Sequence, residues 1–341
     1  MLQGHQSWVF QTEPIITSTS TIVGPFEGKG PLAKDFDTIH EDTWIGQDSW
    51  EKAEKRLLEE ALEKAIEKGG LEKDDIQFFF GGDLMSQLIS SNFAARTLAV
   101  PFLGIFGACS TSMEGLALAG MLVDSGNAQT VLCASSSHNS AAEKQFRYPT
   151  EYGGQKPPTA QWTVTGAGAA IVQSSPNASV STGLKISSAT IGRIVDMGLN
   201  DPLNLGGAMA PAAVDTIEAH FRDLNCSFED YDLIVTGDLG RVGYKIAYDL
   251  FHKHGWDIPE DTFRDCGMMM YGDHQPEVLA GGSGAACSTT VTYGHIFNRM
   301  KKGELKKVLI AATGALFSPI SYQQKESIPC ICHAVAIESM Q

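Results

Sequence analysis

The sequence predicts an α/β protein made of two similar halves, because segments of the chain recur at fixed offsets. The segment GACSTS, residues 107–112, recurs as AACSTT, residues 285–290. At the same offset and without a gap, TVLCASS at residues 130–136 aligns with VLIAATG at residues 308–314. Two aligned pairs at one spacing indicate a repeated structural unit and not a chance hexapeptide.

A third pair lies upstream of the two cysteine-containing segments. DDIQFFFGGDL at residues 74–84 matches EDYDLIVTGDL at residues 229–239. Each copy therefore predicts a strand, a Gly-Asp-Leu turn, a helix that begins near a cysteine, and a second strand. Duplicated α/β halves usually bind their ligand where equivalent strand ends meet, so we expect the turn and the cysteine to share a site.

The chain is long enough for two halves of ordinary domain size. It has 341 residues, of which 43% are hydrophobic, and this allows a large buried core. We divide it into an N-terminal half, residues 1–175, which carries Cys109, and a C-terminal half, residues 176–341.

Composition argues against some partners and compartments. The 25 basic and 40 acidic residues give a formal net charge of −15 at pH 7, which argues against nucleic acid as a partner. An anionic ligand would need a local trap, such as helix N-terminal amides, a histidine or an accompanying metal cation.

The start of the chain lacks a signal-peptide pattern and no segment has the apolar length of a membrane span, so a soluble chain is expected. Seven irregularly spaced cysteines favour reduced thiols over a disulfide framework.

The first half begins with a mixed segment, residues 1–48, in which no independent domain is visible. Residues 49–68 have apolar side chains at helical spacing and Ser49 is a suitable N-cap, so this segment predicts a helix. The other elements predicted for this half are, in order, a strand at residues 76–80, a strand at 100–106, a helix at 113–123, a strand at 130–134, a long covering loop at 139–161 and a strand at 164–172.

The second half repeats this order with additional length. Residues 212–224 predict a helix with Pro211 near its start, where the missing N–H is harmless, and residues 232–236 predict the strand before the second Gly-Asp-Leu turn. The interval between that turn and Cys287 is longer than its counterpart in the first half. Residues 329–338 predict the last strand.

Cys109 is the first candidate for a functional residue. It falls at a predicted strand-to-helix junction, where the helix dipole and free backbone amides favour a thiolate nucleophile. A small buried residue needed for packing is the alternative, but the flanking Gly107 and Ser110 favour a functional role. For Cys287 the packing interpretation is preferred, because no polar cluster follows its second strand.

Polar residues follow the predicted strand at residues 130–134. His138 could act as a general acid or base, could donate to an anion, or could be a solvent-facing loop residue. Ser136 and Ser137 are weaker candidates for the same site, because small hydroxyls are common at strand ends.

Three further residues could contribute to a ligand site. Asp83 could bind a cation or a ligand group, or it could accept amide hydrogen bonds within its own turn. The presence of Asp238 in the matching turn favours the second interpretation. Arg147 and Lys156, in the covering loop, could meet a carboxylate of the ligand, although most loop cations are only solvated.

Several of these segments resemble the thiolase superfamily, including the 3-oxoacyl-ACP synthase III enzymes. The segments are GACSTSMEGLALAG around Cys109, VTGAGAAIV, and GGSGAACS, which is similar to GNTSAA. The resemblance implies a five-layer αβαβα body of two fused halves, a homodimer, and a nucleophile at the position of Cys109. The catalytic Asn of the family falls on Gly282, and the catalytic His would fall within residues 236–240, which contain no histidine. These departures argue against a condensing enzyme, although a synthase III activity that uses Cys109 as nucleophile is kept as the alternative.

Longer motifs resemble a narrower family of thiolase-like sporulation proteins. They are FRYPTEYGGQKPP, AMAPAAVDTI, TGDLG and QQKESIPC. The resemblance implies a non-catalytic protein that binds dipicolinic acid, together with calcium, and supports its uptake into the developing spore. It also implies membrane proteins of the same transport system as partners, and a soluble or peripheral position at the spore inner membrane. A structural scaffold with an empty pocket is a third possibility.

The resemblance and the residue pattern together give one expected site and no catalytic residue. We expect no resident metal or cofactor apart from calcium carried with the ligand. The expected ligand-binding residues are Asp83, Cys109, Ser136, Ser137 and His138, with Arg147 and Lys156 in the loop above them.

Overall fold

A computed structural model of the chain describes residues 1–147, 155–175 and 183–340, except for the side chain of Arg147. In these ranges the strands are β1 (Leu2–Gln3), β2 (Ser7–Val9), β3 (Ile15–Val23), β4 (Thr38–Ile39), β5 (Phe78–Gly82), β6 (Phe102–Gly104), β7 (Thr130–Ser137), β8 (Trp162–Thr163), β9 (Gly166–Gln173), β10 (Leu184–Ile191), β11 (Leu233–Thr236), β12 (Phe263–Asp265), β13 (Gly282–Ser283), β14 (Lys307–Ala315) and β15 (Cys330–Ser339).

The helices alternate with these strands along most of the chain. They are α1 (Trp50–Lys68), α2 (Ile89–Leu98), α3 (Thr111–Asp124), α4 (Asn139–Arg147), α5 (Leu205–Leu224), α6 (Gly240–Lys253), α7 (Cys266–Met270), α8 (Ala285–Thr290), α9 (Phe297–Lys301) and α10 (Pro319–Gln323). A π-helical stretch, Val291–Ile296, joins α8 to α9. A short 3₁₀ turn, Ala108–Ser110, leads into α3.

The main sheet consists of two sections with the same strand order. In the first, β3 pairs antiparallel with β9, β9 pairs antiparallel with β7, and β7, β5 and β6 are parallel. In the second, β10, β15, β14, β11 and β12 follow the same order and the same directions. The sections meet where β10 pairs with β3, at Leu184 opposite Ile16. The duplication found in the sequence is therefore also a duplication of topology.

Helices cover both faces of each section and give five layers. α1 and α2 pack on the outer face of the first section, and α5 packs on the outer face of the second with α6 beside it. α3 and α8 lie between the sections and contact strands of both or each other. The order of layers is αβαβα, as the sequence predicts. The predicted boundary after residue 175 adjoins residues 176–182, which lie outside the described residues, and it stays a prediction.

The helix predicted at residues 49–68 is confirmed, and it explains why a polar strand can be buried beside it. The Ser49 side chain accepts from the amide of Lys52 at 3.3 Å and caps α1. On the neighbouring β3, Ser18 and Ser20 donate to carbonyls of α1, each at 2.6 Å. Because these hydroxyls are satisfied, β3 lies fully buried in the sheet, within the segment for which the sequence showed no independent domain.

Three predicted boundaries are wrong. β7 continues to Ser137 instead of ending at residue 134. The loop predicted from residue 139 begins as α4, because Ala141 and Ala142 pack into the core. α5 begins at Leu205, capped by Asn204, so Pro211 lies inside the helix and not at its start. The residues after Arg147 in the covering loop, 148–154, lie outside the described residues.

All seven cysteines are free thiols, in agreement with the prediction from their spacing. Six of them are buried and Cys226 is half-buried. Within the described part of the chain, no helix combines the length and apolar character required to span a membrane.

The crossing of α5 and α6 requires glycine. A Cβ atom on Gly243 would lie 2.3 Å from the carbonyl oxygen of Gly206, and one on Gly206 would lie 2.0 Å from the carbonyl oxygen of Leu239. These are backbone atoms and cannot move aside cheaply. The absence of side chains at both positions lets the two helices approach closely on the outer face of the second half.

We therefore expect Gly243→Ala to lower the free energy of unfolding by about 1–3 kcal/mol, as overpacking does. In an unobstructed helix the same change would stabilise by about 0.5–1 kcal/mol, so the sign of the effect is diagnostic. Chemical denaturation measures it. Lys245→Ala, at an exposed position of the same helix, is the control and should change the free energy by less than about 0.5 kcal/mol. A variant as stable as the parent would contradict the close crossing.

Candidate functional site

A small cavity lies at Cys109, between the carboxyl ends of the parallel strands of both halves. About 60 Å³ of it is open to the centres of water molecules, which is room for several of them. Its surface is mostly apolar, and the polar groups in it are the Cys109 thiol and two hydroxyls. The lining consists of Leu84, Phe106, Ala108, Cys109, Ala142, Phe146, Thr163, Pro202, Leu205, Ser283, Ala315 and Phe317.

The turn that carries Cys109 is held by its own side chains and by the second half. Ala108 has a φ of 51°, in the left-handed region, which is unfavourable for a residue with a side chain. Thr111 fixes this conformation, because its hydroxyl donates to the carbonyl of Ala108 at 2.8 Å and accepts from the amide of Gly107 at 3.1 Å. A Cβ atom on Gly314 of β14 would lie 2.1 Å from the Gly107 oxygen, so the turn rests directly on that strand.

A buried carboxylate of the second half lies beside Cys109. Asp238 accepts from the Ser283 hydroxyl at 2.9 Å, the Gly284 amide at 3.0 Å and the Thr313 hydroxyl at 2.8 Å. The Ser283 oxygen is 4.0 Å from the Cys109 sulfur. Asp238 therefore ties together the end of β11, the start of α8 and β14, immediately behind the cavity.

These surroundings favour the thiol form of Cys109. Burial raises its pKa well above the usual range, and the nearby carboxylate of Asp238 raises it further. Burial also raises the pKa of Asp238, while the donors around that carboxylate oppose the shift. Desolvation and a negative neighbour therefore oppose the thiolate that the helix N-terminus is expected to favour, and that thiolate stays a prediction.

The strand serines point into the protein and not into the cavity. Because β7 extends through residue 137, successive side chains alternate between its two faces. Ser136 donates to Glu54 of α1 at 3.0 Å, in the outer layer. Ser137 donates to the carbonyl of Val164 at 2.7 Å and accepts from the amide of Ala286 at 3.1 Å. Neither residue belongs to the described lining of the cavity.

His138 is also bound elsewhere. One ring nitrogen is 2.8 Å from the carbonyl oxygen of Thr43, and the other accepts from the amide of Ser140 at 3.2 Å. Its ring stacks on Trp50 with 5.5 Å between centroids. Burial lowers its pKa, so the ring is neutral at pH 7. In this structure His138 joins α4 to the loop before α1.

Asp83 and Asp238 occupy matching turns but have different partners. Asp83 accepts from the amides of Met85 and Ser91, each at 2.8 Å, and from the Ser91 hydroxyl at 2.6 Å, so it closes its own turn. In the second half Asp265 accepts from two amides of the Gly-Asp-Leu turn and α6. Because Asp265 binds these amides, Asp238 can accept hydrogen bonds from the start of α8 and from β14.

Of the two candidate loop cations, Lys156 has a described side chain. The side chain of Arg147 lies outside the described residues, although its neighbour Phe146 lines the cavity. Lys156 pairs with Glu143 of α4 at 2.8 Å and lies 5.9 Å above the ring of Trp162. Within the described residues, Lys156 is not part of the cavity wall.

Of the five expected ligand-binding residues, the structure places Cys109 in the cavity and engages the other four elsewhere. Cys287 is fully buried and its thiol points to the carbonyl of Gly237, in agreement with the packing interpretation. Ser283 and Asp238 are the polar residues that the sequence argument missed. The GGSGAACS segment was the available signal for Ser283, because it aligns with a catalytic segment of the synthases.

Comparisons with known proteins agree on both family and fold. A sequence profile described as "Stage V sporulation protein AD" matches residues 4–338. Stage V sporulation protein AD of Bacillus subtilis (strain 168) is 50% identical over 337 residues, which cover 99% of this chain and 98% of that protein.

Solved structures with low sequence identity share the fold. The 3-oxoacyl-[acyl-carrier-protein] synthase III of Aquifex aeolicus VF5 has a TM-score of 0.60 and 16% identity, with 95% of this chain and 99% of that chain covered. OleA of Xanthomonas campestris with acetamide bound has a TM-score of 0.61 and 14% identity, over 97% and 100%. Human mitochondrial 3-ketoacyl-CoA thiolase in complex with CoA has a TM-score of 0.60 and 14% identity, over 99% and 100%. The fold is therefore thiolase-like.

We expect Asp238→Asn to increase the rate at which iodoacetamide alkylates Cys109 near pH 8. Removal of the negative neighbour lowers the pKa of the thiol and raises its thiolate fraction. Peptide mass spectrometry over time measures the rate at each cysteine. Cys133 and Cys287 are fully buried and serve as internal controls, because unfolding would expose them too. Equal rates at Cys109 in parent and variant would show that Asp238 does not suppress the thiolate.

Proposed function

The chain belongs to the stage V sporulation protein AD family, and from this we propose that it binds dipicolinic acid, together with calcium, in the cavity at Cys109. In this proposal it is a non-catalytic protein that supports uptake of the compound into the developing spore. The observation that carries the proposal is a mostly apolar cavity whose cysteine is held as a thiol in front of a buried carboxylate.

The shape and chemistry of the lining suit a small, flat ring. Phe106, Phe146 and Phe317 supply aromatic surface, and the rings of Phe146 and Phe317 are 5.9 Å apart. Phe106 is 46% exposed, so part of its ring faces solvent while it lines the cavity. Thr163 offers a hydroxyl to a carboxylate oxygen of the ligand, whereas the Ser283 hydroxyl already donates to Asp238. Cavities of this kind, apolar with a few placed polar groups, are typical of ligand sites.

The charge of the site supports binding of the calcium complex over binding of the free dianion. Dipicolinate carries two carboxylates, and the negative field of Asp238 would repel them. Calcium bound between those carboxylates cancels their charge and so removes the repulsion. Asp238 need not touch the metal for this effect, because the interaction acts through space in a site of low dielectric.

The environment of Cys109 supports a binding role over acyl transfer. An acyl-transfer nucleophile requires a thiolate, which needs a nearby base or positive charge. Here burial and Asp238 raise the pKa of the thiol instead. The rival function is condensation of acyl groups by Cys109, and the structural neighbours with enzyme names favour it.

The further parts of the proposal concern assembly and location. We propose a homodimer, membrane proteins of the same transport system as partners, and a soluble or peripheral position at the inner membrane of the developing spore. β6 is the last strand in the order of the first sheet section, and Leu103 on it is 49% exposed. An exposed sheet edge of this kind supports pairing between copies.

The first test is calorimetric titration with dipicolinate, in calcium and in a chelator. We expect saturable binding that calcium strengthens and that Ala315→Leu weakens at least about tenfold, because the larger side chain fills the cavity. Cys287→Ala is the matched control, since it alters the equivalent cysteine of the other half, outside the cavity. Absence of binding by the parent protein in both conditions would refute the ligand assignment.

A second test addresses the rival enzymatic function. After incubation with acetyl-CoA, we expect the intact mass of the protein to remain unchanged, because Cys109 is a poor nucleophile at neutral pH. Chemical acetylation at pH 10 provides a positive control for detection. A mass increase of one acetyl group that disappears in Cys109→Ala would favour the condensing enzyme over the binding protein.

A further inference from the structure

A second concave surface lies between α1 and α2, on the outer layer of the first half. This surface, here called the α1–α2 groove, has a volume of about 620 Å³ and is also lined by α4. Ile89 and Phe93 of α2 form its apolar part, and they are 40% and 41% exposed. Large apolar side chains exposed together in a groove usually mark an interaction site.

Four cations surround these apolar side chains. They are Lys52 and Lys55 of α1, Arg96 of α2 and Lys144 of α4. The guanidinium of Arg96 lies 4.7 Å from the centre of the Phe93 ring, which is a cation–π contact. Among the described residues, Arg96 has no carboxylate within ion-pair distance.

Each of the three lysines is paired with a carboxylate, and a partner could replace the carboxylates of the two exposed lysines, while Lys55 stays with the buried Glu59. Lys52 contacts Asp48, and Lys144 contacts Glu51, each at 2.7 Å. Both lysine side chains are more than half exposed. Exposed pairs of this type contribute little to stability, so exchange for an incoming carboxylate costs little.

The positive character of the groove is local. The chain has a formal net charge of −15, and further along α1 the neighbouring concave surface is lined by Glu59, Glu63, Glu67 and Glu72. At physiological salt, charges more than about 8 Å away are largely screened. A narrow ligand in the groove therefore meets four cations and the three carboxylates paired with the lysines, Asp48, Glu51 and Glu59, which leaves a small local excess of positive charge centred on Arg96.

We propose that the α1–α2 groove binds a segment of a partner protein that presents acidic side chains around one or two large apolar ones. The apolar side chains pack on Ile89 and Phe93, and the carboxylates contact Arg96 and the exposed lysines. This is the helix-in-groove mode of recognition. The proposal does not depend on dipicolinate binding at Cys109.

A flat anionic bilayer fits these observations less well than a protein segment. Because the groove is concave, a flat bilayer would contact only its rim. The Phe93 side chain would then not reach the acyl chains of the lipids. A bilayer also faces a wide area of a protein that carries a formal net charge of −15, and repulsion acts over all of that area. A peptide avoids both costs because it enters the groove alone.

The test uses fluorescein-labelled helical peptides with Phe and Leu on one face and Glu beside them. We expect fluorescence anisotropy to show saturable binding, at least about tenfold tighter than for the same peptides with Gln or Lys in place of Glu, and weaker at high salt. Phe93→Ala and Arg96→Glu should each reduce the affinity at least about tenfold. Both positions are exposed, and thermal unfolding verifies that the variants fold.

Lys245→Glu on α6 is the charge-matched control. It makes the same change in net charge on a distant surface, so it should alter peptide affinity less than twofold. Equal binding of the Glu, Gln and Lys peptides, or unchanged binding in Phe93→Ala and Arg96→Glu, would overturn the proposal. Titration with dipicolinate should be unaffected in Arg96→Glu, which keeps this test separate from that of the cavity.

Two further measurements test other occupants of the groove. If vesicles of phosphatidylglycerol bind the protein through Phe93 and Arg96 while the peptides do not, the groove is a membrane site and the proposal fails. If analytical ultracentrifugation shows a dimer that Arg96→Glu dissociates, the occupant is a second copy of the chain and the proposal also fails.

Discussion

The buried carboxylate of Asp238 is the constraint on which the arrangement around the cavity depends. It lies at the end of β11 and accepts hydrogen bonds from the start of α8 and from β14. Hydrogen bonds to a charged acceptor are stronger than neutral ones, and a buried charge without them would be costly. The three donors therefore hold the end of β11, the start of α8 and β14 together behind the turn of Cys109, and the same charge raises the pKa of the cysteine.

The matching Gly-Asp-Leu turns of the two halves have different hydrogen-bond partners. In the first half Asp83 uses its acceptor positions to close its own turn before α2. In the second half Asp265, from the additional length before Cys287, supplies the acceptors for the start of α6. Because Asp265 has that role, the Asp238 carboxylate accepts hydrogen bonds from Ser283, Gly284 and Thr313 instead. A Gly-Asp-Leu turn that is identical in both halves has different roles because its neighbours differ.

Much of the fold could be predicted from the sequence, because aligned copies locate the parallel strands and the helices between them. β3 escaped prediction, since its Ser and Thr residues resemble a surface strand unless their bonds to α1 are known. The position of Cys109 at a strand-to-helix junction is confirmed, with the short 3₁₀ turn between them.

The other site residues could not be found in this way. A strand that is three residues longer than predicted directs Ser136 and Ser137 to opposite faces of the sheet. Asp238 meets Ser283 and Thr313 across 45 and 75 residues of chain, and no local pattern contains that information.

The helix α4 has one further consequence, because it belongs to two surfaces at once. Ala142 and Phe146 form part of the cavity wall, whereas Lys144 stands in the α1–α2 groove. Ala142 and Phe146 are one helical turn apart and Lys144 lies between them, so the cavity wall and the groove are built on the same stretch of backbone. A substitution that unfolds α4 would therefore remove part of both surfaces.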